Sequence, residues 1–227
     1  RRSGPTSAAS SRDAGERRVL KMLKPGSAAA DLYREEVNAA VVRARIAQHH
    51  NLSLLLNSEF ASAAAMRKLA AGSGCDLYLV YEEGNRGSLD KDLAARAERK
   101  EPYSRLEVLR LATDIAAGLL VLHEHRLLFG DLALRNVVLH KSSITGRLVA
   151  KLVDFGMCQD PTSPLFAPSA GKASMHWPPE CDDEGARYSF PVDVWALGVC
   201  LFELVAMREF RLVLTDPKGQ RDYVRWE

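Results

Sequence analysis

Asp131-Leu132-Ala133-Leu134-Arg135-Asn136 and, further on, Asp154-Phe155-Gly156 decide the fold of this chain. They place an acid, an amide and a second acid in that order around an apolar hairpin. Between them, Val137-Val138-Leu139 and Leu148 to Val153 bracket Lys141 to Gly146, which reads as two strands joined by a somewhat long turn. A carboxylate takes a proton from an attacking hydroxyl. An amide oxygen and a second carboxylate are hard ligands suited to Mg²⁺. Phosphoryl transfer needs that combination of parts.

Working outward, the C-terminal side carries Pro191 to Ala206, apolar except for Asp193 and Glu203. It reads as a helix buried on most sides. A lone acid in such a run is costly unless hydrogen-bonded, so Asp193 is expected to anchor backbone groups. On the N-terminal side, Leu106 to Glu124 predicts a long helix. Its broad apolar set is Leu109, Ala112, Ile115, Ala116, Leu119, Leu120 and Leu122. Earlier still, Gly84 to Gly87 is a turn with Ser88 as helix cap, and Asn51 to Leu56 and Leu77 to Tyr81 read as strands. A helix spans about Asp31 to Gln48, with Asp31 as its cap and Leu32, Val37, Val41, Val42 and Ile46 near one face. Arg18 to Leu23 is a short strand ended by Pro25-Gly26. Ala61 to Leu69 predicts a small helical excursion, and Pro161 to Ser174 a loop. Arg1 to Arg18 lacks apolar periodicity and reads as a flexible segment.

These motifs, taken in order from about Val19 to Met207, resemble the protein kinase catalytic domain, in a form closest to the tyrosine-kinase branch. The resemblance implies an α+β, two-lobed protein-kinase-like fold: a small β-rich N-lobe over residues 18–83 and a mainly helical C-lobe over 84–227, after a flexible segment at 1–17. The chain is expected to be a piece of a longer protein, truncated at both ends. The implied cofactors are ATP and Mg²⁺, and the implied partner is a protein substrate carrying the acceptor hydroxyl, tyrosine ahead of serine or threonine.

Site residues follow position by position. Asp131 would accept the hydroxyl proton, and Arg135, four residues on, would order that carboxylate and the acceptor. Asn136 and Asp154 would hold the metal. Val19-Leu20-Lys21 resembles the strand that sets a lysine on the ATP phosphates. Lys21 would be held by a carboxylate of the next helix. Glu35 and Glu36 compete for that role. Glu36 is preferred because it places Ala39 and Ala40 toward the core, whereas Glu35 would turn Asn38 inward. Val19, Glu82, Glu83, Gly84 and Val138 would surround the adenine, with Tyr81 as a bulky gatekeeper. Phe155 would pack under the helix carrying Glu36.

The chain also departs from the pattern. Phe129-Gly130 stand where the family usually has His-Arg. Phe129 preserves an aromatic in the apolar column. Gly130 removes the arginine that pairs with a phosphorylated loop, so gating by that charge pair is not expected. Met157 to Met175 contains no tyrosine. No glycine-rich motif occurs between Arg1 and Lys21, so the phosphate-covering loop is expected to be absent or to lie upstream, and Val19 stands where the family usually has alanine. Gly130, Val19, the bulky Tyr81 and the absent glycine-rich motif favour an alternative, a pseudokinase acting as a nucleotide-binding or scaffolding module.

Composition narrows the classes. A net charge of +2 on 227 residues gives no global field for nucleic acid. Four scattered cysteines have no metal-ligand spacing, and no apolar run reaches the length of a membrane span. A cytoplasmic location is expected, free-standing or as the intracellular part of a membrane protein.

Overall fold

The computed structural model describes residues 18–22, 29–53, 55–57, 78–82, 84–141, 146–163, 178, 181 and 189–208; for 18–22, 29–36, 55–57, 78–80 and 82 it describes the backbone alone. The excursion at Ala61 to Leu69, most of the loop after Ser163, the Trp177-Pro178-Pro179-Glu180 motif apart from Pro178, and the tail after Arg208 lie outside the described residues.

Three short strands form the first sheet. β1 (Arg18–Met22) and β2 (Leu55–Asn57) both pair antiparallel with β3 (Tyr78–Glu82), giving the order β1-β3-β2. In that register Val19 lies opposite Tyr81 and Lys21 opposite Leu79. Helix α1 (Ala29–Arg45) lies between β1 and β2 in the chain. It starts earlier than expected, so Asp31 falls within its first turn rather than at its cap.

The expected strand at Asn51 to Leu56 divides in two. Leu55–Asn57 joins the first sheet, whereas Leu52 bridges Leu152 in the second. The Asn51 carbonyl accepts from Leu152 N at 2.8 Å, and Ser53 N donates to the Leu152 carbonyl at 2.9 Å. Leu52 is buried in the main core, so its apolar side chain draws this half of the segment away from β2.

The second sheet is the expected hairpin, β4 (Val137–Lys141) with β5 (Leu148–Leu152), antiparallel from Val137–Leu152 to Lys141–Leu148. Helix α2 (Leu89–Arg99) follows Ser88, whose carbonyl takes the Asp92 N–H although its side chain makes no cap. Helix α3 (Arg105–Glu124) begins with a capping box that was not anticipated. Ser104 Oγ accepts from Glu107 N, and Ser104 N donates to Glu107 Oε2 at 2.8 Å. Those bonds from Ser104 hold the Glu107 carboxyl below its ordinary range.

Helix α4 (Pro191–Ala206) starts with proline at its first turn, where no intrahelical N–H is lost. One apolar core joins α2, α3, α4, the hairpin and the end of α1 through Val42, Leu89, Ile115, Leu122, Phe129, Leu139, Phe155 and Leu204, among others.

Three expectations about burial are corrected. Leu109 and Leu120 of α3 are 54% and 59% exposed. The helix instead turns Leu111, Asp114, Ile115, Gly118, Leu119 and Leu122 inward. Gly118 permits this phase, because a Cβ there would meet Leu152 Cδ1 at 3.0 Å and the Asn51 carbonyl at 3.1 Å. Asp114 tolerates burial because its carboxylate accepts from Ala150 N at 3.0 Å and from Arg147 at 3.1 Å. In α1, Val37 is exposed and Ala39 is buried with Tyr81. On α4, Val194 and Val205 are exposed, so that helix is covered on fewer sides than its composition implies.

Candidate catalytic site

The loop between α3 and β4 is fixed from below by one buried carboxylate. Asp193 Oδ2 accepts from Phe129 N at 2.8 Å and from His123 Nε2 at 2.8 Å, and its Oδ1 accepts from Gly130 N at 2.9 Å. The expected anchoring by Asp193 is therefore present, with His123 as a third donor that sequence reasoning missed. Phe190 packs against that imidazole at a tilt, ring centroids 4.7 Å apart.

Gly130 sits at φ +77°. L-residues are strained there, and a Cβ would also lie 3.2 Å from the Met157 carbonyl oxygen. This backbone turn supplies a physical reason for glycine that is independent of the missing arginine charge. Phe129, fully buried, packs edge-on against Phe155 with centroids 5.9 Å apart. The aromatic column expected from Phe129 is thus formed.

Asp131 lies just past this anchor, partly exposed. Arg135 donates to its Oδ1 at 2.6 Å. Asn136 donates its amide both to the Asp131 carbonyl at 2.7 Å and to Asp131 Oδ2 at 2.9 Å. A short helical turn, Leu134–Asn136, puts the three side chains together. The Asn136 nitrogen is used by Asp131, which leaves its oxygen as the atom offered to a cation.

Asp154 has a left-handed backbone, φ +67° and ψ +75°, and accepts from Gly156 N at 3.4 Å. A non-glycine residue at positive φ costs energy that the surroundings must offset, and such positions cluster at functional sites. β4 and β5 connect Asn136 to Asp154, and Val153 N donates to the Asn136 carbonyl at 3.0 Å. An amide oxygen and a carboxylate held on one hairpin base form a donor set that fits Mg²⁺.

The residues expected to face a nucleotide are placed in part. Gly84 lies against Val138: a Cβ at residue 84 would come 2.6 Å from Val138 Cβ. The turn after it pairs with β4, with Arg86 N donating to the Leu139 carbonyl and Leu139 N to the Gly87 carbonyl. Asn85 closes the same edge through both its amide atoms, on Lys141 N and the Lys141 carbonyl. Tyr81 is buried. Val19, Lys21, Glu36 and Glu82 are placed by backbone alone, and Glu83 lies outside the described residues.

The reasoning that chose Glu36 is corrected. Asn38, expected to face away, donates to the Gly156 carbonyl at 2.7 Å. Ala39, Val42 and Ile46 are buried, whereas Ala40 and Arg43 are exposed. The inward stripe of α1 therefore runs through 38, 39, 42 and 46. The polar Asn38 is tolerated there because its amide is paired. Phe155 does pack with Gly156 and Met157 against α1.

Asn51, read as a strand residue, is fully buried and donates to the Ala150 carbonyl at 2.9 Å. The cue available for it was weak, since a lone asparagine after two histidines is ordinary loop sequence. Asp114 was findable by the criterion applied to Asp193, an acid inside an apolar helical run.

A carboxylate–amide–carboxylate base on a buried hairpin, with a helical body on one side and a small sheet on the other, defines the two-lobed α+β class of phosphotransferase folds. The family model described as "Protein tyrosine and serine/threonine kinase" matches residues 9–217, and the chain belongs to that family. It is similar to protein kinase C zeta type of Oryctolagus cuniculus, 33% identical over 140 residues, 62% of this chain and 22% of that protein. It is also similar to a Dictyostelium discoideum protein named as a serine/threonine-protein kinase, 27% identical over 137 residues, 60% of this chain and 12% of that protein. A Caenorhabditis elegans protein named as a tyrosine-protein kinase is 33% identical over 101 residues, 44% of this chain and 11% of that protein. The chain thus spans less than a quarter of the length of each of these relatives. Relatives of both specificities are present. No helix among the described residues is long and apolar enough to cross a membrane.

Proposed function

We propose that this chain transfers the γ-phosphoryl group of Mg·ATP to a protein hydroxyl. The observation that carries the reading is the joint hold on Asp131. Arg135 and Asn136 occupy both its oxygens from one side of the loop, fixing the carboxylate while Asp193 fixes the backbone before it. Positioning and electrostatics supply most of the catalysis in phosphoryl transfer, so a fixed acceptor base is the part that matters.

In this reading Asp131 orients the acceptor hydroxyl and takes its proton. Asn136 and Asp154 hold Mg²⁺, which when bound neutralises charge on the phosphates. Lys21 binds the phosphates as a point cation. Its partner is Glu35 rather than Glu36, because residue 35 precedes Asn38, Ala39 and Val42 by three, four and seven positions and shares their stripe. Glu82, Glu83 and Gly84 present backbone groups to the adenine, with Val19 and Val138 on its faces. Residues 18–83 and 84–227 serve as the two lobes, in a cytoplasmic setting.

Tyrosine is favoured as acceptor. Arg135 stands in the position that marks the tyrosine-kinase form of the loop, and it is half exposed while it holds Asp131. The second reading, a pseudokinase, is favoured by Gly130 and by Val19 beside a buried Tyr81. Incubating the protein with Mg·ATP and mixed tyrosine and serine peptides, with mass spectrometry of the products, separates the two. Phosphotyrosine is expected. Phosphoserine alone overturns the specificity, and Mg·ATP binding without product supports the pseudokinase.

A further inference from the structure

With glycine at position 130, no arginine there can pair with a phosphorylated loop to order the segment carrying Asp154. Among the described residues, two side chains of α1 hydrogen-bond to that segment. Asn38 donates to the Gly156 carbonyl at 2.7 Å. Arg45, two helical turns later on the same stripe, donates to the His125 carbonyl at 3.0 Å and to Asp160 Oδ2 at 3.4 Å. The receiving groups are themselves fixed. His125 ends α3, where unsatisfied carbonyls favour a cation. Asp160 Oδ1 takes the Thr162 N–H at 2.9 Å and its hydroxyl at 2.7 Å, and these bonds from Thr162 hold the Asp160 carboxyl below its usual range. Gln159 exchanges both backbone hydrogen bonds with Leu128, at 2.8 and 3.0 Å. The segment from Asp154 to Thr162 is thus tied to the C-terminal body, and α1 is tied to the segment at both ends.

We propose that Asn38 and Arg45 are positioning residues that clamp α1 to the segment carrying Asp154, holding the site assembled without a phosphorylated loop. Its catalytic consequence rests on the kinase reading, but the clamp itself does not. Asn38 acts at the turn that sets the Asp154 backbone. Arg45 acts at the far end of the segment, and its exposed, charged bond makes this half of the clamp sensitive to salt.

The test is hydrogen exchange on the whole chain, in wild type, Asn38→Ala, Arg45→Met, the double variant, and Arg99→Met as a control at an exposed ion pair. Each single variant is expected to speed exchange at 154–160 and along α1 by roughly tenfold, the effect of one net hydrogen bond on a local opening. The double variant should exceed either, and Arg99→Met should match wild type there. Arg45→Lys should recover part of the protection, and salt should remove that recovered part. In a kinase assay the double variant should lose kcat roughly 10- to 100-fold with the peptide KM unchanged. Unchanged exchange at 154–160 in the double variant overturns the clamp, as does faster exchange spread evenly over the protein. Absence of turnover in wild type tells against the kinase reading and leaves the exchange result to decide the clamp.

Discussion

Gly130→Ala has a sign that depends on the structure. At ordinary negative φ, replacing glycine by alanine stabilises a protein by about 0.4–1 kcal/mol, because the unfolded chain loses freedom. At φ +77° the alanine instead pays about 1–2 kcal/mol for a left-handed backbone. The contact with the Met157 carbonyl, 3.2 Å from the new Cβ, adds to that cost. The net expectation is a loss of about 1 kcal/mol or more. With a urea slope of about 2–3 kcal/mol/M, that lowers the unfolding midpoint by roughly 0.4 M. Two other glycines serve as internal references. Gly87 has φ +80° and open space around its Cβ position, so Gly87→Ala should cost less. Gly198 lies inside α4 with no atom within 4 Å of an added Cβ, so Gly198→Ala should stabilise by roughly 0.5–1 kcal/mol. Urea unfolding of the three variants followed by circular dichroism gives the order. A Gly130→Ala variant as stable as wild type would refute the account of why glycine stands before Asp131.

Asp193→Asn should destabilise by about 2–4 kcal/mol, because one acceptor oxygen becomes an NH₂ facing donors from Phe129, Gly130 or His123; urea midpoints check it. The Glu107 carboxyl has its folded pKa below the unfolded one, so its contribution is complete above the unfolded value and is lost as pH falls through the folded value. The stability gap between wild type and Glu107→Gln should therefore shrink on acidification through that window, as read from thermal midpoints at neutral and acidic pH. Gly84→Ala should weaken Mg·ATP binding by roughly tenfold through its 2.6 Å approach to Val138 Cβ, and Val138→Gly, which removes that atom, should restore part of it in the double variant. Titration calorimetry reads both, and equal losses in the single and double variants would break the proposed coupling.

Much of the C-terminal body was legible because its signals are local. Pro191 to Ala206 is apolar enough to be a helix in any context, and the hairpin is bounded by its own turn residues. The grouping of Asp131, Arg135 and Asn136 was legible because all three lie between positions 131 and 136. Helix phase was less legible where both faces are apolar. Leu109 and Leu120 were assigned inward on hydrophobicity, but the close approach allowed by Gly118 and the paired burial of Asp114 rotate α3 the other way. The asparagines were least legible. Asn38, Asn51 and Asn85 each donate to a backbone carbonyl far away in sequence, and nothing local to an asparagine announces a distant carbonyl. The argument for Glu36 lost its premise for that reason: it treated Asn38 as a surface residue.

The central claim is that Asp131 and Asp154 carry phosphoryl transfer. Its most direct test is the rate of phosphate transfer from Mg·ATP to a tyrosine peptide by the whole chain, measured beside Asp131→Asn and Asp154→Asn. Each substitution keeps the side-chain shape and removes one charge. The account predicts measurable transfer by wild type and a loss of at least roughly 10²-fold in each variant. Transfer that survives undiminished in both variants would contradict it.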